Sequence, residues 1–229
     1  VAHPVSAARL TISQFNNTVR DLVGTNITLP GDFPPEARIG LFDNNAFSLF
    51  VSLAHIKSFD KTIQQIVDEA FKDSEPNPRV VSCKIFEGES CIRTMAKEFG
   101  ERAWRRPLTN GEINKLVDRY KEVRSLFDFN RPAFKVIMKS ILMSPNFLYR
   151  IEFDRDVNAT SSKFLNNYEI ASRLSYFLWS SMPDDALFAA AKNGELLHKD
   201  VLLRQVDRMC KDPKAMTLVD HFAAQWLDY

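Results

Sequence analysis

The sequence predicts an all-α fold, a multi-helix domain of about nine helices with long packed loops. Three observations carry that prediction. Apolar residues recur at helical spacing along most of the chain, glycine is scarce at seven in 229 residues, and the eighteen phenylalanines outnumber tyrosine and tryptophan together. Few glycines leave few tight turns, which disfavours a sandwich or barrel, and 45% hydrophobic residues at this length supply a full core.

The organising stretch is residues 168–185, YEIASRLSYFLWSSMPDD. Ile170, Ala171, Leu174, Phe177 and Leu178 form a helical stripe that Tyr176 and Trp179 widen. Asn166 and Glu169 have the spacing of an N-terminal capping box, and Ser181-Met182-Pro183 stops the helix before Asp184 and Asp185 start another.

In chain order, residues 10–23 place Leu10, Phe15, Val19 and Leu22 on one helical face, with Thr11 or Ser13 as cap and Gly24 as stop. Residues 24–43, broken by Pro30, Gly31, Pro34, Pro35 and Gly40, read as a structured loop. Asn44 or Asn45 then caps a long helix over residues 46–72, and residues 79–83 read as extended after the proline break. Further helices follow over residues 90–104, over 109–127 behind the Thr109/Glu112 box, and over 131–143, with a separate turn at 144–150. Residues 154–163 read as the most mobile internal loop, and helices over 183–192, 199–211 and 214–227 close the chain. The expected domains are a 1–73 helical segment with its long loop and a 79–229 helical core, the latter incomplete because residues 225–229 end on an apolar stripe without a cap. The start at Val1 suits a processed product or an excised fragment.

Thirty basic and 29 acidic residues, interspersed along the chain, leave a net charge of +1, which argues against a nucleic-acid partner. No apolar run is long enough for a transmembrane segment. His3, His55, His198 and His221 lack metal-binding spacings, so no metal site is expected, and the phosphate-loop, dinucleotide and nucleophile-elbow motifs are missing. Asp184 and Asp185 suit the first turn of a helix better than catalysis. Arg102, Arg105 and Arg106 have the chemistry to grip an anion, but pairing with nearby acids and helix carbonyls is the stronger reading. Arg20, Asp43, Asn44, Asn45 and Arg173 adjoin apolar stripes and read as a structural polar network. Cys83 and Cys91 lie eight residues apart, a span that a disulfide or two reduced thiols satisfies equally; Cys210, beside Met209, reads as buried.

Six ordered motifs then point to a family: Phe15-Asn16-Asn17-Thr18-Val19-Arg20-Asp21-Leu22, Phe42-Asp43-Asn44-Asn45, Arg102-Ala103-Trp104-Arg105-Arg106-Pro107-Leu108-Thr109, Ser144-Pro145-Asn146-Phe147-Leu148-Tyr149-Arg150, the stretch from Ala171 to Asp185, and Phe222-Ala223-Ala224-Gln225-Trp226-Leu227. The chain resembles a bacterial, planctomycete-type family of extracytoplasmic domains of unknown function, the fifteen-ninety-two class with its neighbours. The resemblance implies a periplasmic, secreted or cell-surface protein, often joined to a cytochrome c module. It implies a Cys83–Cys91 disulfide and a partner that is a cytochrome c or another redox protein, with polysaccharide as a second partner class. It carries over no catalytic residues, and because CxxCH is missing, no cofactor is expected within this segment; haem c would sit on a further segment or partner chain. The leading expectation is a helical scaffold or interaction portion of an extracytoplasmic redox protein concerned with electron transfer. The alternative is an enzyme acting on extracellular polysaccharide, oxidatively or hydrolytically, through Asp43, Arg106, Arg150 and Arg173, or a glycan-binding module built on Trp104, Trp179 or Trp226.

Overall fold

The computed structural model describes residues 7–37, 40, 42–46, 48–152 and 165–227. His3 and the loop expected to be mobile at 154–163 lie outside the described residues. Helices dominate, and the fold is all-α; a two-residue ladder pairs β1 (Ala8–Arg9) antiparallel with β2 (Tyr149–Arg150), setting Ala8 opposite Arg150 and Arg9 opposite Tyr149. The chain forms two compact units that interleave along the sequence. Residues 1–17, 35–50 and 149–229 make the first, and residues 18–34 and 51–148 make the second. The domain break expected at 73–79 therefore lies inside the second unit, where the Asn77 side-chain amide donates to the Val23 carbonyl at 2.9 Å and its backbone N–H donates to Ala70 at 2.8 Å.

Helix α1 (Ile12–Val23) starts on a reciprocal cap: Thr11 Oγ1 accepts the Gln14 N–H, and Gln14 Oε1 accepts the Thr11 N–H. Leu10, just before it, and Phe15, Val19 and Leu22 along its face are fully buried.

In the second unit, α2 (Leu53–Ala70) starts later than the spacing predicts. Asn45 closes a single turn, its carbonyl accepting the Ser48 and Leu49 N–H groups. The true cap is Ser52, whose Oγ accepts the His55 N–H while His55 Nδ1 accepts the Ser52 N–H. Phe33 packs edge-on against His55 and Phe59, each at 5.1 Å between ring centroids. Helix α3 (Glu89–Met95) runs through a wide turn at Ala96–Gly100 into α4 (Glu101–Trp104), burying Ile92, Met95, Ala96, Phe99 and Ala103. Helix α5 (Asn110–Arg124) opens on the Thr109/Glu112 box, and α6 (Arg131–Leu142) carries Pro132 in its first turn. These two helices pack together, α6 also lies on α2, and α7 (Pro145–Leu148) is a short turn against α4.

In the first unit, α8 (Asn167–Trp179) is capped by the Asn166/Glu169 box, and α9 (Asp185–Lys192) by Asp184, which accepts the Leu187 N–H at 3.0 Å. Helices α10 (Lys199–Cys210) and α11 (Ala224–Leu227) complete it, the latter following a wide-turned segment at Leu218–Ala223. Trp179 is the centre of this unit's core, clustered with Leu178, Leu187, Ala190, Leu196 and Met209. Its indole N–H donates to the Met209 carbonyl at 3.0 Å, and Arg208 and Lys214 flank the ring at 5.6 and 5.1 Å. Phe177 and Cys210 depart from the sequence reading. Phe177 is 57% exposed, because α8 turns Ala171, Ser175, Leu178 and Trp179 inward; Cys210 is exposed, because Met209, about 100° away on the helix, takes the core position.

Candidate functional site

A buried carboxylate–guanidinium cluster lies at the start of α1, in the first unit. The Glu36 carboxylate accepts the Ile12 N–H at 2.8 Å, one of the donors that a helix start leaves without an intrahelical partner. Arg9 Nη2 approaches the same oxygen at 3.5 Å, and its Nη1 donates to the Leu10 carbonyl at 2.9 Å. Burial pushes the Glu36 carboxyl up to about 7, with Asp43 adding to the rise and Ile12 and Arg9 opposing it. The same burial pulls the Arg9 guanidinium down, against the charge of Glu36. A carboxyl titrating near neutrality beside a guanidinium has the chemistry of a proton-transfer group; it equally serves as a buried helix cap. Sequence reading missed Glu36, because it joins Ile12 across 24 residues and no local pattern marks that contact.

Of the residues singled out for chemistry, Asp43 and Arg150 lie near this cluster. Asp43 acts electrostatically on Glu36 and donates its backbone N–H to Gln225 Oε1 at 3.2 Å. Arg150 sits opposite Ala8 in the ladder, next to Arg9, and its guanidinium lies 5.5 Å from the centre of the Tyr176 ring. Arg173 is exposed and holds Glu152 with two nitrogens at 2.5 and 2.7 Å. Arg106 belongs to the second unit, where it grips Glu112, donates to Asn146 Oδ1 at 3.0 Å and lies over Trp104. Its neighbour Arg105 is the better-buried group. Held at a positive φ of 57°, it donates to the carbonyls of Ala103, Asn146 and Phe147 and so ties the end of α4 to α7.

Of the residues read as an internal polar network, Arg20, Asn44 and Arg173 stand exposed. Arg20 pairs with its neighbour Asp21 at 3.0 Å with its side chain half exposed, Asn44 is exposed, and the Asn45 carbonyl closes the turn to Ser48. Arg173 has the carboxylate partner expected of it but lies at the surface, since α8 turns the opposite side inward.

Cys83 and Cys91 are joined in a disulfide, with 5.5 Å between their Cα atoms, and it closes a loop containing the turn Ile85–Glu87. A covalent c-type haem takes two thioether cysteines and a histidine in one motif. Here Cys83 and Cys91 are bonded to each other, Cys210 stands apart, and the sequence holds no CxxCH motif.

Trp104 and Trp179 are buried, and Trp226 is 61% exposed. In the first unit Phe222 stacks on Phe42 at 5.6 Å and on Trp226 at 6.2 Å, while Phe177 meets Phe222 edge-on. Phe177, Phe222 and Trp226 are all exposed, so this aromatic row faces solvent. No described helix is long and apolar enough to cross a membrane.

Three domain families match in tandem, each described as a protein of unknown function: DUF1587 over residues 8–72, DUF1595 over residues 91–152 and DUF1592 over residues 165–229. No curated protein and no solved structure matches the chain. With these motifs in order along nearly its whole described length, the chain belongs to the DUF1592 class of proteins of unknown function, together with the neighbouring domains of that class.

Proposed function

We propose that the chain is the helical scaffold and interaction portion of an extracytoplasmic redox protein, associated with a cytochrome c that is carried on another segment or partner chain. The observation that supports this reading is the exposed aromatic row Phe177, Phe222 and Trp226, on which Phe42 stacks through Phe222, since Phe and Trp side chains presented together to solvent form the core of protein interfaces. The paired states of Arg106 and Arg173 fit a structural role for those side chains. The Cys83–Cys91 disulfide is compatible with an oxidising compartment, periplasmic or extracellular.

The test is the visible absorption spectrum of the full-length protein isolated with its bound partners. A c-type haem band that leaves with the stripped partner, and an association that Phe222→Ala weakens at least tenfold, support the proposal. A haem covalently fixed within residues 1–229, or a complex without any haem band, rejects it.

The exposed Trp226 favours one second reading, contact with an extracellular polysaccharide through its indole. Titration with soluble glycans, followed by indole fluorescence in the native chain and in Trp226→Ala, separates this reading from the first.

A further inference from the structure

Glu36 and Arg9 are nearly closed off from water, with 10% and 1% of their side chains exposed. Among the described residues two charged groups act on Glu36: Arg9 from β1, which favours the ionised form, and Asp43 from the same loop, which opposes it. Tyr149 of β2 acts on Arg9, and α1 supplies the Ile12 amide. The separation of 3.5 Å between guanidinium and carboxylate is longer than a good charge-assisted hydrogen bond. The attraction between them offsets only part of the cost of keeping two charges from water, and burial remains the largest influence on both groups.

We propose that Glu36 is a proton-operated clasp, which fastens its loop to the corner between β1 and α1 when the carboxyl is neutral and loosens that corner when the carboxyl ionises. A neutral carboxyl still accepts the Ile12 N–H, and Arg9 keeps the Leu10 carbonyl as acceptor. Ionisation adds a buried negative charge facing Asp43.

The direction follows from linkage. Glu36 moves from its ordinary 4.5 up to about 7 in the folded chain. Between those values the folded chain holds a proton that the unfolded chain has released, so folding weakens as pH rises. The folded-to-unfolded ratio falls by up to roughly tenfold per pH unit over that window and levels off above it.

The experiment compares the whole chain with Glu36→Gln, whose amide stands in for the neutral carboxyl. Hydrogen-exchange protection factors of the Ile12 amide are measured at pH 5.5 and pH 8. The native chain is expected to lose about 30-fold in protection between the two, since roughly one and a half pH units of the window are crossed. The variant is expected to change by less than about threefold and to exceed the native chain at pH 8. Equal pH dependence in both chains, or a variant less protected than the native chain at pH 8, overturns the proposal. Should the variant not fold, carbon-13 NMR of the Glu36 carboxyl in the native chain decides: titration near 7 supports the clasp, and titration near 4.5 overturns it.

Discussion

Arg106 holds the carboxylate of Glu112 with two guanidinium nitrogens, at 2.7 and 3.0 Å, while the same carboxylate accepts the Thr109 N–H at 2.8 Å. One acid thus closes a capping box and anchors an arginine that also reaches Asn146. The guanidinium pulls Glu112 down to about 2, with the Thr109 amide assisting. A depressed carboxylate contributes stability that is present above its ordinary value of 4.5 and is lost as pH falls toward 2. Glu112→Gln is expected to cost about 1–3 kcal/mol at pH 7 and little at pH 2, by urea unfolding at both pH values. An equal cost at both would remove the ion pair from the account.

The Cys83–Cys91 bridge spans a sequence separation of eight residues. The chain-entropy relation assigns a loop of this size about 2–3 kcal/mol. Replacing both cysteines by serine should lower the second unit's unfolding free energy by that amount, and adding a reductant to the native chain should reproduce the loss.

Inside the bridged loop, Gly88 has φ of 62°, and a Cβ there would lie 2.9 Å from the Tyr120 hydroxyl. That hydroxyl donates to Asn130 at 2.8 Å, so it is not free to swing away without losing a bond. Gly88→Ala is expected to destabilise by about 1–3 kcal/mol, from the left-handed backbone and the displaced phenol together. A melting temperature unchanged within a degree would contradict this.

Trp179 combines full burial with a satisfied indole N–H. Trp179→Ala should cost about 3–5 kcal/mol and Trp179→Phe less, in the same chemical unfolding assay.

Cys210 is exposed, while the other two of the three cysteines are bonded together. A thiol reagent such as DTNB should therefore titrate one thiol per native chain without denaturant, and none in Cys210→Ser.

The helix starts that were legible in the sequence are those with a self-contained local signal. Thr109/Glu112 and Asn166/Glu169 each satisfy their own donors within four residues, so the pattern and the structure coincide. The start of α2 was not legible, because His55 rather than a glutamate completes the Ser52 box and Asn45 offers a rival that closes a turn without propagating it. Phe177 and Cys210 show a second limit of periodicity. A stripe as wide as that of α8 does not say which edge is innermost, and adjacent positions such as Met209 and Cys210 are resolved by packing partners far along the chain. Glu36 was invisible for the same reason: Arg9 and Ile12, brought in from elsewhere, join Asp43 of its own loop to make its environment. Arg105, by contrast, stood in a recognisable arginine cluster, and its left-handed backbone and carbonyl partners distinguish it from its neighbours.

The interleaving of the two units separates descent from folding. The three matched segments, 8–72, 91–152 and 165–229, are units of inheritance, yet residues 8–72 contribute to both compact bodies. On the ribosome, Ala8 and Arg9 emerge long before Tyr149 and Arg150, the strand that they pair with, and such long-range closure slows assembly. A fragment cut at a family boundary would take with it part of one body and leave the other incomplete, so the smallest piece worth expressing spans all three segments.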